Sequence, residues 1–580
     1  MQWTEAGKLK SKYINENSLP GLEAQIEERK RLQAKLKELK AMMPKADRTG
    51  NSFETNVITG RMLKGMTDSV CSYQKRDIYA QLSQYLKNPN QTRVCVVYGL
   101  RRTGKTTMLL QAMAEMVEED FEKTAYLKAL RTDTMAIVNR DLQKLYEAGY
   151  RYVFIDEVTL MKDFVDSAAL FSDVFVPMGM RIVLSGTDSL GFWIARDNEL
   201  YDRERMIHTT FIPYREYNRL LGIDSLDEYI RYGGTFREGK IDFDDEDLFA
   251  EDASFRDDES TRRYIDTAIC KNIQHSLECY EYGNHFRHLY SLYEAGELTG
   301  AINRIIEDMN HRFVLRVLTK DFESADLGIT ARNLRSKRDP EKRTAILDQI
   351  DTDEVTGRLM QMLDIRNKEN QTVGITPTHI VQINEYLAAL DLIMDCPTEY
   401  AQPGIESEEH ILFAQPGMRY CQAQALVYSL MKDDLFMLLD SKDKEYVTGR
   451  LLEEVRGRLM EDIILLEAAK ALSKARYGIF KLKFSSGEFD MVIYDRGAHC
   501  FEAFEIKHSS KAVSEQVRHL LDEEKCRLAE HRFGKMVGKI VLYLGESQTM
   551  ENGIRYCNAE EFLKQLPVFE MSLLPTAEMN

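Results

Sequence analysis

Short unbroken apolar runs alternate with stretches of helical spacing along the first half of this chain. Val94 to Tyr98 reads VCVVY, and MLLQAMAEMVEE follows from Met108 with apolar residues at three- and four-residue steps. The segments TAYLKA from Thr124, YVFIDEV from Tyr152 and RIVL from Arg181 repeat the short-run pattern. A helix from Lys75 to Leu86 leads into the first run. Continuous runs separated by helices predict an α/β core on a parallel sheet.

The rest of the chain reads differently. Residues 21–43 place Leu22, Ile26, Leu32, Leu36, Leu39 and Met43 at helical spacing among Lys and Glu, and Pro44 ends the pattern. That helix either lies on its own protein or meets a partner as a coiled coil. Residues 216–400 are mostly helical in pattern. From His379 to Ile393, the positions Ile380, Ile383, Leu387, Leu390 and Ile393 share one face. This is either the second helix of a helix-turn-helix or a packed helix of an all-α linker. From Gly449 a long helical pattern, GRLLEEVRGRLMEDIILLEAAKAL, precedes KLKFSSGEFDMVIYD and HCFEAFEIKHS. These last two predict a hairpin, Phe489–Tyr494 against Cys500–Ile506, followed by a strand at KIVLYLG from Lys539.

Chemistry gathers at the ends of the apolar runs. After Val94–Tyr98 comes Gly99-x-x-x-x-Gly104-Lys105-Thr106, in the strand–loop–helix context of a P-loop. Glycine lets such a loop curl so that successive N–H groups face phosphate oxygens, and the following helix adds its positive end. The residues expected to bind ATP are Gly99, Leu100, Arg101, Arg102, Thr103, Gly104, Lys105, Thr106 and Thr107. Lys105 would reach the β- and γ-phosphates, and the Thr106 hydroxyl would ligate Mg²⁺. YVFIDEV ends in Asp156 and Glu157, a Walker B arrangement. Asp156 is expected to hold the metal and Glu157 to orient or deprotonate the attacking water.

Two features nearby stay open. Ser185-Gly186-Thr187-Asp188 either senses the γ-phosphate or caps a helix. Arg203 and Arg205 are either arginine fingers, within the chain or across a subunit interface, or solvated surface residues.

The C-terminal hairpin carries a second constellation. Asp490 lies on its first strand, Glu505-Ile506-Lys507 ends its second, and Glu461 lies on the preceding helix. An acid followed about fifteen residues later by Glu-x-Lys is the PD-(D/E)XK nuclease signature. Alternation along a strand puts Glu505 and Lys507 on one side, with Asp490 facing them across the hairpin. Asp490 and Glu505 would hold Mg²⁺, Lys507 would position water or stabilise charge, and Glu461 would be a third ligand or a water anchor. Gln516 sits where some nucleases of this class place a backbone-contacting glutamine.

GLRRTGKTT, VFIDEV, VLSGT, FIPYREY and YIRYGGT together resemble one prokaryotic family. Its members are AAA-type P-loop ATPases with a PD-(D/E)XK nuclease-like domain at the C-terminus. The resemblance runs from about residue 75 to 567 and is patchy between 240 and 370. It implies a helical lid and a winged-helix-like middle after the ATPase core. The acidic insert IDFDDEDLFAED from Ile241 departs from the family and reads as a solvated loop. The expected order is a charged helix and linker at 1–56, the ATPase core at 57–215, and the lid and winged-helix region at 216–400. The nuclease-like domain follows at 401–567, with a loose tail at 568–580.

Composition narrows the function. The chain has 580 residues, 44% hydrophobic, enough for several ordinary cores. Its net charge of −17 means that DNA contact needs a local basic surface, of which Ala331–Arg343 is the most basic in the middle region. None of the nine cysteines forms a C-x-x-C pair, so reduced thiols are expected rather than zinc or disulfides. The first residues have no signal-peptide core, and no uncharged apolar run approaches the ~20 residues of a membrane span. The expected compartment is the cytoplasm. The expected partners are ATP, DNA and further copies of the chain. The leading expectation is an ATPase coupled to a metal-dependent DNA nuclease, in defence or mobile-DNA control. The alternative is a nucleotide-switched interaction protein whose nuclease-like domain binds without cutting. A third reading is a signalling ATPase that assembles through its N-terminal helix.

Overall fold

The computed structural model describes residues 2–5, 8–11, 53–187, 191–192, 195, 199–200, 202–236, 255, 257–279, 286–323, 375–402, 404–432 and 441–569. The chain divides into residues 1–53 and 54–580. In the first unit Gln2–Glu5 (β1) and Lys8–Ser11 (β2) pair as an antiparallel hairpin. The helix expected over 21–43, the acidic insert and the basic run Ala331–Arg343 all lie outside the described residues.

The second unit holds two sheets. The strands of the first are Val57–Ile58 (β3), Val94–Tyr98 (β4), Thr124–Lys128 (β5), Tyr152–Asp156 (β6), Arg181–Gly186 (β7) and Glu204–His208 (β8). Their order is β3-β5-β6-β7-β4-β8, all parallel except β3 on its edge. Every residue of β4 is buried, which is why that strand reads as an unbroken apolar run. The helices Tyr79–Lys87 (α1), Lys105–Ala114 (α2) and Met135–Glu147 (α3) accompany these strands. Part of the expected linker at 45–56 is anchored: the Asp141 carboxylate on α3 accepts the Glu54 and Thr55 N–H groups at 2.9 and 2.7 Å.

Helices dominate the middle. They include Tyr214–Leu221 (α4), Leu226–Tyr232 (α5), Leu298–Glu323 (α6) and Pro377–Ala389 (α7). The segment from His379 departs from expectation. Its helix ends at Ala389, and Asp391 takes a left-handed φ of 59°. Ile393 opens a strand, and Ile380 is 41% exposed, so the buried face of the helix is carried by Ile383 and Leu387 together with His379 and Tyr386. Lys470 and Thr210 both donate to the Asp391 carboxylate, which fixes the break.

Beyond α7, Ile393–Tyr400 (β9) and Glu408–Phe413 (β10) form a hairpin. Pro416–Leu430 (α8) and Ser441–Ala471 (α9) follow. Then come Tyr477–Lys483 (β11), Glu488–Asp495 (β12), Cys500–Lys507 (β13), Lys535–Tyr543 (β14), Gln548–Thr549 (β15) and Arg555–Asn558 (β16). The second sheet has eight strands in the order β10-β9-β11-β12-β13-β14-β16-β15. It therefore reaches back across position 400 and recruits β9 from the end of a segment read as mostly helical. The β12–β13 turn is set by Asp495, whose carboxylate accepts the N–H groups of Gly497 and Ala498 at 2.9 and 3.0 Å. The expected tail starts out packed, since Phe569 meets Phe211 at 5.6 Å between ring centres. Among the described residues no helix is long and apolar enough to cross a membrane.

Candidate functional site

The glycine loop joins the C-terminal end of β4 to α2. Gly99 and Gly104 have φ of 143° and 87°, and Arg102 between them has 63°. At Gly99 a Cβ would meet the Thr209 carbonyl oxygen at 2.3 Å, so only glycine fits there. Lys105 is buried and folded back, donating to the Gly99 and Leu100 carbonyls at 2.9 and 2.7 Å. Burial lowers its pKa to about 8, against the opposing pull of Glu157 and Asp156. Leu100 turns its side chain into the helical core of the middle region, and Thr103 hydrogen-bonds Thr209 at 2.8 Å. These two therefore shape the loop from behind. Arg101 is exposed, while Thr106 and Thr107 are half-buried at the start of α2.

Because β7 lies between β4 and β6, its end stands beside the end of β6. Thr106 Oγ1 donates to Asp156 Oδ2 at 2.9 Å, and Tyr126 and Lys128 on β5 reach the same oxygen at 2.9 and 3.0 Å. Ser185 donates to the other carboxylate oxygen. Burial alone would raise the Asp156 pKa, but Lys128, Ser185 and Tyr126 outweigh it and hold the group ionised. An ionised carboxylate beside a threonine hydroxyl fits Mg²⁺, which takes few protein oxygens and keeps water and phosphate for the rest. Glu157 takes a left-handed φ of 57°, a strained conformation for a non-glycine residue, and Thr187 Oγ1 donates to it at 3.2 Å. Ser185 and Thr187 thus each bind one of the two strand-end acids. Ser185 lies within β7 and caps no helix. Asp188 lies outside the described residues.

Arg203 and Arg205 sit away from this site. They lie at the start of β8, whose register pairs Arg205 with Cys95, whereas the loop leaves from beyond Tyr98. Arg203 binds Asp173 at 2.7 Å and Arg205 binds Gln84 at 2.8 Å. Neither reaches the glycine loop of its own chain.

The arginine that does reach it is Arg76, which the sequence pattern did not single out. It is buried just ahead of α1, pairs with Glu216 at 2.6 Å and donates to the Thr103 carbonyl at 2.9 Å. Phe236 also contacts the loop: its N–H donates to the Arg102 carbonyl at 2.9 Å, and its ring lies against Gly104. His208 at the end of β8 stacks on Tyr98 at 4.7 Å, and burial lowers its pKa to about 4. Tyr126 and Lys128 alternate along β5, and that spacing was the one available hint that both face Asp156.

The second constellation also comes together. Register sets Asp490 opposite Glu505, one step beyond the Met491–Phe504 pair. Both carboxylates are buried. Lys507 Nζ lies 2.8 Å from Asp490 and 2.7 Å from Glu505. The Ile506 N–H donates to Asp490 at 2.8 Å, and Glu505 Oε1 is buried with no hydrogen-bond partner. Burial would raise the pKa of Asp490, but Lys507, Arg458 and the Ile506 N–H hold it well below the usual range. Burial and the facing Asp490 push Glu505 well above that range. Two carboxylates with one orphaned oxygen fit a divalent cation. The fit is partial: Lys507 lies within reach of both acids, and among the described residues no cluster of three or more His, Cys, Asp or Glu is placed to hold a metal.

Glu461 is buried on α9 and turned toward Arg458 and Lys481, at 2.8 and 3.1 Å. Its link to the centre is through charge, since Arg458 and Lys481 both act on Asp490. Gln516 uses its amide within its own loop, accepting from the Val513 N–H and donating to the Lys511 carbonyl at 3.1 and 3.0 Å.

Residues 91–218 match the family model of the AAA domain, less than a quarter of the chain. A comparison with curated proteins found no match. Among solved structures, the Orc1 protein of Aeropyrum pernix in complex with DNA is 13% identical, with a TM-score of 0.22 over 63% of this chain and 94% of that one. PCH-2 of C. elegans is 16% identical, with a TM-score of 0.17 over 30% of this chain and 48% of that one. A katanin structure described for its self-assembly is 12% identical, with a TM-score of 0.18 over 57% of this chain and 89% of that one. Scores this low do not establish a shared overall architecture. The glycine loop, β6 and β7 all fall within the matched residues, so the nucleotide-type site belongs to an AAA domain.

Proposed function

We propose that this chain is an AAA-type ATPase coupled to a metal-dependent DNA nuclease. The observation that carries the nuclease half is the pairing of Asp490 with Glu505, with Lys507 beside both and a buried carboxylate oxygen unpartnered. In the ATPase half, Lys105 would exchange its two carbonyl partners for phosphate oxygens. Thr106 and Asp156 would hold Mg²⁺, and Glu157, steadied by Thr187, would orient the attacking water. In the C-terminal half, a divalent ion held by Asp490 and Glu505 would polarise a scissile phosphate and acidify a bound water. Lys507 would move off the carboxylates and stabilise the charge that develops on phosphorus-bound oxygens. Arg458, Lys481 and Lys507 offset the charge of the acids gathered there. Defence or control of mobile DNA suits such a pairing. The chain's copies would assemble through nucleotide-bearing interfaces, as AAA domains commonly do.

A second reading has its own support. Lys507 spans the position that a metal would take, and burial with the facing Asp490 raises the Glu505 pKa well above the usual carboxylate range. A domain fixed in that state would bind nucleic acid or a partner without cutting, and the nucleotide would switch the binding. Phosphate release from ATP by wild type and by Lys105→Ala tests the ATPase half. Turnover lost in the variant is expected, and turnover that persists contradicts the assignment. Asp490→Ala separates the readings, because it abolishes cutting under the first and leaves binding intact under the second.

A further inference from the structure

The segment Leu226–Phe236 touches both sites. At one end, Asp227 on α5 accepts from His508 Nε2 at 2.9 Å. His508 is the residue after Lys507, at the end of β13. At the other end, Phe236 rests on the glycine loop, through its N–H on the Arg102 carbonyl and its ring against Gly104. The seven residues of α5 span only about 10 Å.

The element between is stiff. Tyr229 donates to the Ile212 carbonyl at 2.8 Å and to Glu467 at 3.2 Å, and packs edge-on against Tyr214 and Tyr217. Gly417 at the start of α8 lies so close that a Cβ there would meet the Arg231 carbonyl oxygen at 2.8 Å. Gly234 has φ of 100° and is bridged to Ile212, which fixes the bend between α5 and Phe236. A packed helix of this kind moves as a body or not at all.

We propose that His508 is a positioning residue for Lys507, and that Leu226–Phe236 sets it according to what occupies the glycine loop. The proposal rests on reading β12–β13 as a metal-dependent hydrolytic centre. Phosphates entering the cradle draw Lys105 off the Gly99 and Leu100 carbonyls and reshape the loop at Arg102 and Gly104. Those are the two positions that Phe236 contacts. The shift passes along α5 to Asp227, and from Asp227 to His508. Lys507, one residue away, then changes its distance to Asp490 and Glu505. The YIRYGGT motif acquires a role on this account: Tyr229 locks the helix and Gly234 bends the chain onto the loop.

The test is hydrogen–deuterium exchange on the full chain, with and without a non-hydrolysable ATP analogue and Mg²⁺, followed by cleavage assays under the same conditions. Wild type is expected to show nucleotide-dependent exchange both in the glycine loop and at residues 506–510. Asp227→Ala and His508→Ala are expected to lose the second change and keep the first. His508→Gln, which keeps an N–H donor for Asp227, is expected to retain it. No change at residues 506–510 in wild type while the glycine loop is protected would overturn the proposal. So would an undiminished change in Asp227→Ala. Coupled exchange in a protein that cuts no DNA would uphold the link and sink the nuclease reading instead, so the two failures are distinguishable.

Discussion

Arg76 Nε lies 2.6 Å from a carboxylate oxygen of Glu216, and both side chains are buried. The same guanidinium donates to the carbonyls of Thr103 in the glycine loop and of Thr210 and Phe211 beyond β8. The pair ties the loop to α4, the helix that opens the middle region. Removing one partner of a buried pair leaves the other charge unmatched, which typically costs about 3–5 kcal/mol. Arg76→Ala is therefore expected to lower the thermal midpoint of the ATPase core sharply, and Glu216→Ala to do the same. The double variant should recover part of the loss. Strictly additive losses would mean that the two residues act separately.

Lys105 carries a pH dependence of definite sign. Burial holds its pKa at about 8 in the nucleotide-free protein, and phosphate binding requires the charged form. Below that pH the lysine is already protonated and affinity is flat. Above it, binding must take up a proton, and affinity falls by up to about tenfold per pH unit. Calorimetry of nucleotide binding in buffers of different ionisation heat reads that uptake. Affinity unchanged between about pH 7 and 9, with no proton uptake, would contradict the assignment.

Glu505 gives the opposite sign. Burial and the facing Asp490 keep it protonated well above the usual carboxylate range, whereas a metal ligand must be ionised. Binding of Mn²⁺ at the Asp490–Glu505 pair should release protons and tighten as pH rises. Glu505→Gln should abolish both effects. Metal binding without proton release would place the ion elsewhere.

The nucleotide site was legible because its parts are local. β4 to β7 are parallel strands buried on both faces, so each appears as an apolar run, and their ends carry the chemistry. Asp490 and Glu505 were legible for a similar reason, since a hairpin read from alternation also yields its facing pairs. Arg76 was not, because a helical pattern read from Lys75 carries no signal of the carbonyls that this arginine, just ahead of the helix, will meet. Arg203 and Arg205 stayed open between finger and surface residue because sequence order says nothing about which end of β8 faces the loop. The hairpin β9–β10 was hidden by the helix before it. Ile393 continues the helical spacing of Ile383, Leu387 and Leu390, and only the left-handed turn at Asp391, bound to Lys470 and Thr210 from distant segments, breaks it. Tertiary contacts of that range have no local trace.

The most direct test of the account is cleavage of linear, circular and single-stranded DNA with Mg²⁺ or Mn²⁺, with and without ATP, by wild type and by Asp490→Ala. The account predicts metal-dependent cutting that responds to ATP and disappears in the variant. ATP hydrolysed at a normal rate with no cutting of any substrate would contradict it, and would leave Asp490, Glu505 and Lys507 as a docking site under nucleotide control.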